Sequence, residues 1–243
     1  MRTLLFLIVS LIMAQNTQAG DVKAAVAANF TAPMKEIAAD FEAATGNRVL
    51  LSFGSTGTLY AQIVNGAPFD LLLAADQEHA AKLETEAAAT RRFTYAVGRL
   101  VLWSASPGRA DGGAAALAAG DFARLAIANP SIAPYGAAAV QVLKALKVYD
   151  ALQSKLVQGE NIAQTYQFVA TGNADLGFVA LAQVSTATNG SRWDVPQSLY
   201  DPIRQDAVLL QAGAHNPAAG ALLDYLKSDA ARAVITRYGY GSE

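Results

Sequence analysis

Ser52-Phe53-Gly54-Ser55-Thr56-Gly57-Thr58-Leu59-Tyr60-Ala61-Gln62-Ile63 reads as the end of a strand, a small hydroxyl-rich turn and the start of a helix. Leu50, Leu51 and Phe53 supply the apolar strand, Gly54-Ser55-Thr56-Gly57 the turn, and Leu59, Gln62 and Ile63 the first helical face. A helix that opens on Ser, Thr and Gly presents backbone N–H groups without intrahelical partners, with short hydroxyls beside them. An anion can sit there, at the positive end of the helix dipole. No Lys or Arg lies between Arg48 and Lys82, so an anion held here is held by neutral dipoles. Taken alone, the same residues also make an ordinary N-cap.

The neighbouring segments repeat this pattern. Upstream, Val22–Ala28 is an apolar first strand. A helix follows from Phe30 to Ala44, with Phe30, Met34, Ile37, Ala38 and Phe41 at a 3.6-residue period, Pro33 in its first turn and Gly46 as its stop. Asn29 thus occupies the same strand-to-helix position as Ser55. Downstream, Phe69–Ala75 is a third strand, and Asp76 caps a helix through Leu83. The βαβαβα order argues for a parallel sheet with helices on its faces.

Arg99–Ser104, Leu125–Ala128, Leu156–Gly159, Asp175–Ala180 and Asp206–Leu210 read as further strands. Asn129–Gly136 is a rigid, Pro-rich turn before a helix over Ala137–Lys147, and Glu160-Asn161-Ile162 opens another that ends near Gly172. Two helices, Pro217–Lys227 and Asp229–Arg237, close the chain. The punctuation predicts an α/β protein of two lobes, each a mostly parallel sheet flanked by helices. Lobe 1 is expected at 20–97 plus 206–243 and lobe 2 at 98–205. The chain crosses near Val97-Gly98 and again near Arg204-Gln205, which makes a two-stranded hinge.

The 243 residues are 53% hydrophobic and 16% charged, enough for one or two real cores. With a net charge of −2, no basic run and no basic–aromatic interleaving, nucleic acid is excluded as a partner. Met1–Ala19 has the form of a cleaved leader: Arg2, an apolar run from Leu4 to Ala14, and small residues at Thr17-Gln18-Ala19. The absence of cysteine excludes disulfides, thiolate chemistry and a lipid anchor. A soluble, exported, unanchored chain is expected in a bacterial periplasm.

Catalytic constellations are missing. His79 and His215 are isolated, and Asp76-Gln77-Glu78-His79 reads as a helix start better than as a metal tetrad. There is no Gly-x-Ser-x-Gly elbow, no phosphate-binding Gly-x-x-x-x-Gly-Lys loop and no Gly-x-Gly-x-x-Gly. What remains is a set of helix starts with small neutral donors: Asn29 and Ser55/Thr56 in lobe 1, Tyr135-Gly136 and Asn161-Ile162 in lobe 2. In parallel α/β lobes these loops lie at the carboxyl ends of strands. Two such edges facing each other would enclose a small dianion in a dry cage of preorganised dipoles.

Taken in order, Ala27-Ala28-Asn29-Phe30-Thr31-Ala32-Pro33-Met34, Ser52–Leu59, Gly66–Asp76, Ile127-Ala128-Asn129-Pro130, Pro134-Tyr135-Gly136-Ala137, Gly159-Glu160-Asn161-Ile162, Leu176-Gly177-Phe178-Val179, Tyr225-Leu226-Lys227 and Arg237-Tyr238-Gly239 cover nearly the whole chain after the leader. They resemble the periplasmic molybdate-binding proteins of ABC transporters. The resemblance implies a type II periplasmic-binding-protein fold that takes molybdate, and usually tungstate, to a membrane permease. It implies a monomer with no catalysis and no cofactor. It also implies oxyanion contacts at Asn29, Ser55, Thr56, Tyr135 and Ile162, the last through its backbone N–H, with Ala28 adding a backbone contact. These residues would touch oxygen atoms, with no direct ligation of the metal. Some members place a tyrosine after the Leu-Gly-Phe-Val strand; Ala180 stands there in this chain, and Tyr135 is read as the replacement phenol. The competing readings are a sulfate- or phosphate-type carrier on the same fold, a secreted hydrolase with Ser55 as nucleophile, and a signalling role for the loaded protein.

Overall fold

The computed structural model describes residues 20–242; the expected leader lies outside the described residues. The apolar run after it forms β1 (Asp21–Ala27), a 3-10 turn (Ala28–Phe30) and α1 (Thr31–Thr45), which stops at Gly46 in the left-handed region (φ 74°). β2 (Arg48–Gly54), α2 (Thr56–Val64), β3 (Leu71–Leu73), α3 (Glu78–Thr85) and β4 (Ala89–Gly98) follow. β5 (Leu100–Ser104), α4 (Ala114–Ala119), β6 (Leu125–Ala128), α5 (Pro134–Ala145), α6 (Tyr149–Leu152), β7 (Leu156–Gly159), α7 (Ile162–Ala170), β8 (Leu176–Ala180), α8 (Leu181–Val184) and β9 (Ser191–Asp194) build the second half. β10 (Ile203–Leu210), α9 (Pro217–Tyr225) and α10 (Asp229–Arg237) end the chain.

The strands form two five-stranded sheets of the same plan, β2-β1-β3-β10-β4 and β7-β6-β8-β5-β9. In each, the first three strands run parallel, the fourth (β10 or β5) is antiparallel to its neighbours on both sides, and the edge strand (β4 or β9) runs with the first three. Helices cover both faces of both sheets, which is why the central strands are continuous apolar runs. Along β1 and β3 the pleat sends Val22, Ala24, Val26, Leu71 and Leu73 to the face packed by α1, α9 and α10, through Met34, Ile37, Phe41, Leu222, Val234 and Ile235. Ala25 and Leu72 point to the opposite face, with Leu59 of α2 and Leu83 of α3.

Gly98 and Arg99 pass directly from the first sheet into the second, and β10 brings the chain back. β4 and β10 pair with each other (Ile203↔Gly98, Gln205↔Ala96), so the two crossings are one antiparallel ribbon. Gly241 clamps its edge: the Val97 N–H donates to the Gly241 carbonyl at 2.8 Å and the reverse bond is 2.9 Å.

β4 and β9 were not expected from the sequence. Both are edge strands, and β4 carries the adjacent charges Arg91 and Arg92 in place of a clean alternation. α5 begins at Pro134 rather than Ala137, because Pro at the first helical position has no N–H to lose. Tyr135 and Gly136 therefore belong to its first turn. A Cβ at Gly136 would stand 2.2 Å from the Ala128 carbonyl oxygen, so only glycine lets this helix start close over β6.

Candidate functional site

The carboxyl ends of β1, β2, β6 and β7 each feed a helical turn. These four turns meet between the lobes around one small cavity of about 10 Å³, the room of a single water-sized sphere. Its wall is Ala27, Ala28, Asn29, Gly54, Ser55, Thr56 and Ala75 from one side, and Ala133, Pro134, Tyr135, Asn161 and Ile162 from the other. All five residues singled out in the sequence thus line one cavity, each at most 5% exposed. No charged side chain lines it.

Each helix start assigns its donors differently. In α2, Ser55 is the N-cap. Its Oγ accepts from the Thr58 N–H at 3.3 Å and donates to Thr58 Oγ1 at 2.7 Å. The next donor, the Gly57 N–H, bonds across the lobes to the Ile132 carbonyl at 2.9 Å. The Thr56 N–H is left at the cavity. Thr56 Oγ1 accepts from the Ala75 N–H at 2.9 Å, so its own hydrogen is available to an acceptor. In α7, Asn161 Oδ1 caps the N–H groups of Ala163 (2.9 Å) and Gln164 (3.0 Å) and leaves that of Ile162. In α5, Pro134 has no N–H, and those of Gly136 and Ala137 bond to the Ala133 carbonyl, which leaves that of Tyr135.

A buried polar network stands behind Asn29 and Tyr135. The Asn29 amide donates to Gln205 Oε1 at 2.8 Å and to the Tyr240 hydroxyl at 3.0 Å. The Tyr240 hydroxyl donates to the Asn29 carbonyl at 2.8 Å. Tyr95 donates to Gln205 Oε1 at 2.9 Å, and Gln205 Nε2 donates to the Tyr135 hydroxyl at 3.3 Å. Burial pushes the phenols of Tyr95, Tyr135 and Tyr240 well above the ordinary tyrosine range, so all three are neutral donors at physiological pH. Gly98 makes the room: a Cβ there would lie 2.2 Å from the Tyr135 hydroxyl and 2.7 Å from Gln205 Nε2. Sequence reading treated Gln205 only as a lobe boundary and gave Tyr240 no role; their distance along the chain from Asn29 left no local signal.

A wider cleft of about 530 Å³ adjoins the cavity and shares Ala75, Ala133 and Pro134 with it. Asp76, Glu78, His79 and Lys82 line one bank, Pro130–Ala133 the other, and Asp201 and Arg204 the floor. His79 is paired locally, its Nδ1 2.8 Å from Asp76 Oδ2 and its ring against Tyr60. His215 is exposed. Neither lines the small cavity, so Ser55 has no histidine base there. Glu160, the one carboxylate of the four contact stretches, is exposed and outside the cavity wall. Among the described residues no group of three or more His, Cys, Asp or Glu could hold a metal ion.

Two α/β lobes of one plan, an antiparallel ribbon between them and an uncharged cavity at their seam define a two-lobed solute-binding protein. Residues 22–241 match the family of bacterial extracellular solute-binding proteins, and the chain belongs to that family. It is 59% identical over 235 residues to the molybdate-binding protein ModA of Azotobacter vinelandii, covering 95% of this chain and 93% of that one. It is 53% identical over 227 residues to the molybdate-binding protein ModA of Rhodobacter capsulatus, covering 93% and 90%. Among solved structures, the periplasmic molybdate-binding protein of Azotobacter vinelandii superposes with a TM-score of 0.88 at 41% identity, over 91% of this chain and 99% of that one.

Proposed function

We propose that this protein captures molybdate, and tungstate with it, between its lobes and hands the oxyanion to an ABC permease. The observation that carries the reading is the small, uncharged cavity built from four helical turns, two from each lobe. A dianion taken from water must recover its hydration from the protein. Here the recovery comes from neutral dipoles that are already fixed, so none has to reorient when the anion arrives. The names of the two ModA relatives supply the identity of the anion.

Thr56 donates through its N–H and its hydroxyl, Ile162 through its N–H, and Tyr135 through its phenol, whose oxygen accepts from Gln205 and which also hydrogen-bonds the Tyr240 hydroxyl, so donating to the anion means turning its hydrogen from Tyr240. The Asn29 amide hydrogens are engaged by Gln205 and Tyr240, so Asn29 offers its backbone N–H, with Ala28 beside it. Ser55 caps α2 and sets the turn. These groups touch oxygen only; the metal atom of the cargo meets no protein ligand. Sulfate, of like charge and shape, is rejected because a cage closed on a larger anion leaves a smaller one short of its donors. Phosphate in its protonated form needs an acceptor, and no carboxylate lines the wall. The protein works as a periplasmic monomer, exported by residues 1–19, without lipid anchor, cofactor or catalysis. Native mass spectrometry of residues 20–243 with molybdate tests this: one oxyanion on a monomer is expected, and a chain that stays unloaded refutes it.

A further inference from the structure

Resting on the proposal that the lobes close on an oxyanion, we infer that Gly57 is the latch residue of closure, and that its missing side chain sets how completely the lobes shut. Gly57 is the second residue of α2. Its N–H donates across the seam to the Ile132 carbonyl at 2.9 Å. Thr56, one residue earlier, faces the cavity. One helical turn therefore holds the anion with one backbone donor and the opposite lobe with the next.

Two observations single out glycine here. First, the backbone does not ask for it. Gly57 lies inside a right-handed helix and is absent from the positive-φ glycines, so any L-residue could adopt its conformation. Within a helix glycine is the poorest choice after proline. Second, a Cβ at position 57 would meet Ile132 Cα at 3.0 Å, Cβ at 3.1 Å and Cγ2 at 3.2 Å. These three nearest atoms all belong to the other lobe. A side chain at 57 is thus crowded first by the opposite lobe, and Ile132 would have to give way for one to fit the closed seam. The glycine is a concession by the helix to the closed state. The same seam bears on the cage: Ile132 precedes Ala133 and Pro134, which form its wall, so holding Ile132 also holds the start of α5 and Tyr135 in place.

Substitution at 57 has effects of opposite sign on the helix and on the seam. Alanine or valine at 57 improves α2 while wedging the seam. Gly57→Ala and Gly57→Val are therefore expected to melt, without ligand, at or above the wild-type temperature. They should bind molybdate more weakly, by severalfold for alanine and tenfold or more for valine, with the loss in a faster dissociation rate. Small-angle scattering should show a smaller molybdate-induced contraction for Gly57→Val than for wild type. The experiment measures ligand-free Tm, calorimetric affinity, stopped-flow dissociation and scattering on wild type and both variants. Affinities within twofold of wild type in both variants overturn the latch. So does a ligand-free Tm that falls in step with affinity, because Gly57 would then serve the fold of lobe 1 rather than closure. A wild-type protein that ignores molybdate strikes the proposed function instead, which the wild-type titration shows separately.

Discussion

Thr56 and Ser55 are adjacent hydroxyls at one helix start, and the structure gives them different work. Thr56 is 1% exposed, and its Oγ1 accepts from the Ala75 N–H at 2.9 Å while its hydrogen is left for the cavity. Thr56→Val keeps the shape and removes the hydroxyl, with two consequences. The anion loses a hydrogen bond to a charged acceptor, about 1.5–3 kcal/mol. At about 1.4 kcal/mol per power of ten, that weakens molybdate about ten- to hundredfold. The buried Ala75 N–H also loses its acceptor, about 1–3 kcal/mol of stability. For a chain of this size the melting temperature then falls by about 2–4 °C per kcal/mol. Ser55→Ala instead deletes an N-cap whose oxygen accepts from the Thr58 N–H, about 1 kcal/mol, and leaves affinity within about threefold. Thr56→Ser restores both roles. Titration calorimetry with molybdate and scanning calorimetry without it separate the cases. A Thr56→Val protein with wild-type affinity beside a weakened Ser55→Ala protein would refute the assignment, as would two unchanged affinities.

Tyr135→Phe is expected to weaken molybdate about tenfold or more, the worth of a phenolic bond to a charged acceptor; unchanged calorimetric affinity would remove that hydroxyl from the site. Gly98→Ala places a Cβ 2.2 Å from the same hydroxyl. Overpacking there should lower stability by about 1–3 kcal/mol in urea and weaken binding with it, although residue 98 never touches the anion. Affinity should stay flat between about pH 7 and 9, because no charged side chain lines the cavity and its phenol titrates higher. Stability has a defined alkaline limit. Burial raises the phenols of Tyr95, Tyr135 and Tyr240 above their unfolded value of about 10. The folded chain then holds protons that the unfolded chain has lost, so their contribution is complete below about pH 10 and declines as pH rises further. Urea midpoints across that range check the sign, and a rise in stability above pH 10 would contradict it.

The parallel core of each lobe was legible because its central strands are short apolar runs: all seven residues of Leu71–Leu73 and Leu125–Ala128 are buried. The antiparallel edges were not. β4 reads as ATRRFTYAVG and owes its conformation to pairing with β10, more than a hundred residues away in the chain, a tertiary effect that local pattern does not carry. At the cavity, the four helix starts were visible as small polar residues after strands. The division of labour between Ser55 and Thr56 depends on where the Ala75 N–H falls, which only the packed lobes fix. Gln205 and Tyr240 lay beyond sequence reading for the same reason: they reach Asn29 through the fold. Gly57 belongs by local pattern to the turn, and its consequence appears only when Ile132 of the opposite lobe is brought against it.

The decisive measurement is calorimetric titration of the leader-free chain with molybdate, tungstate, sulfate and phosphate under one set of conditions. Two lobes that close through neutral donors on one large tetrahedral dianion should bind molybdate and tungstate tightly at one per chain, with sulfate and phosphate far weaker. Sulfate bound as tightly as molybdate, or no heat with any of the four, would contradict it.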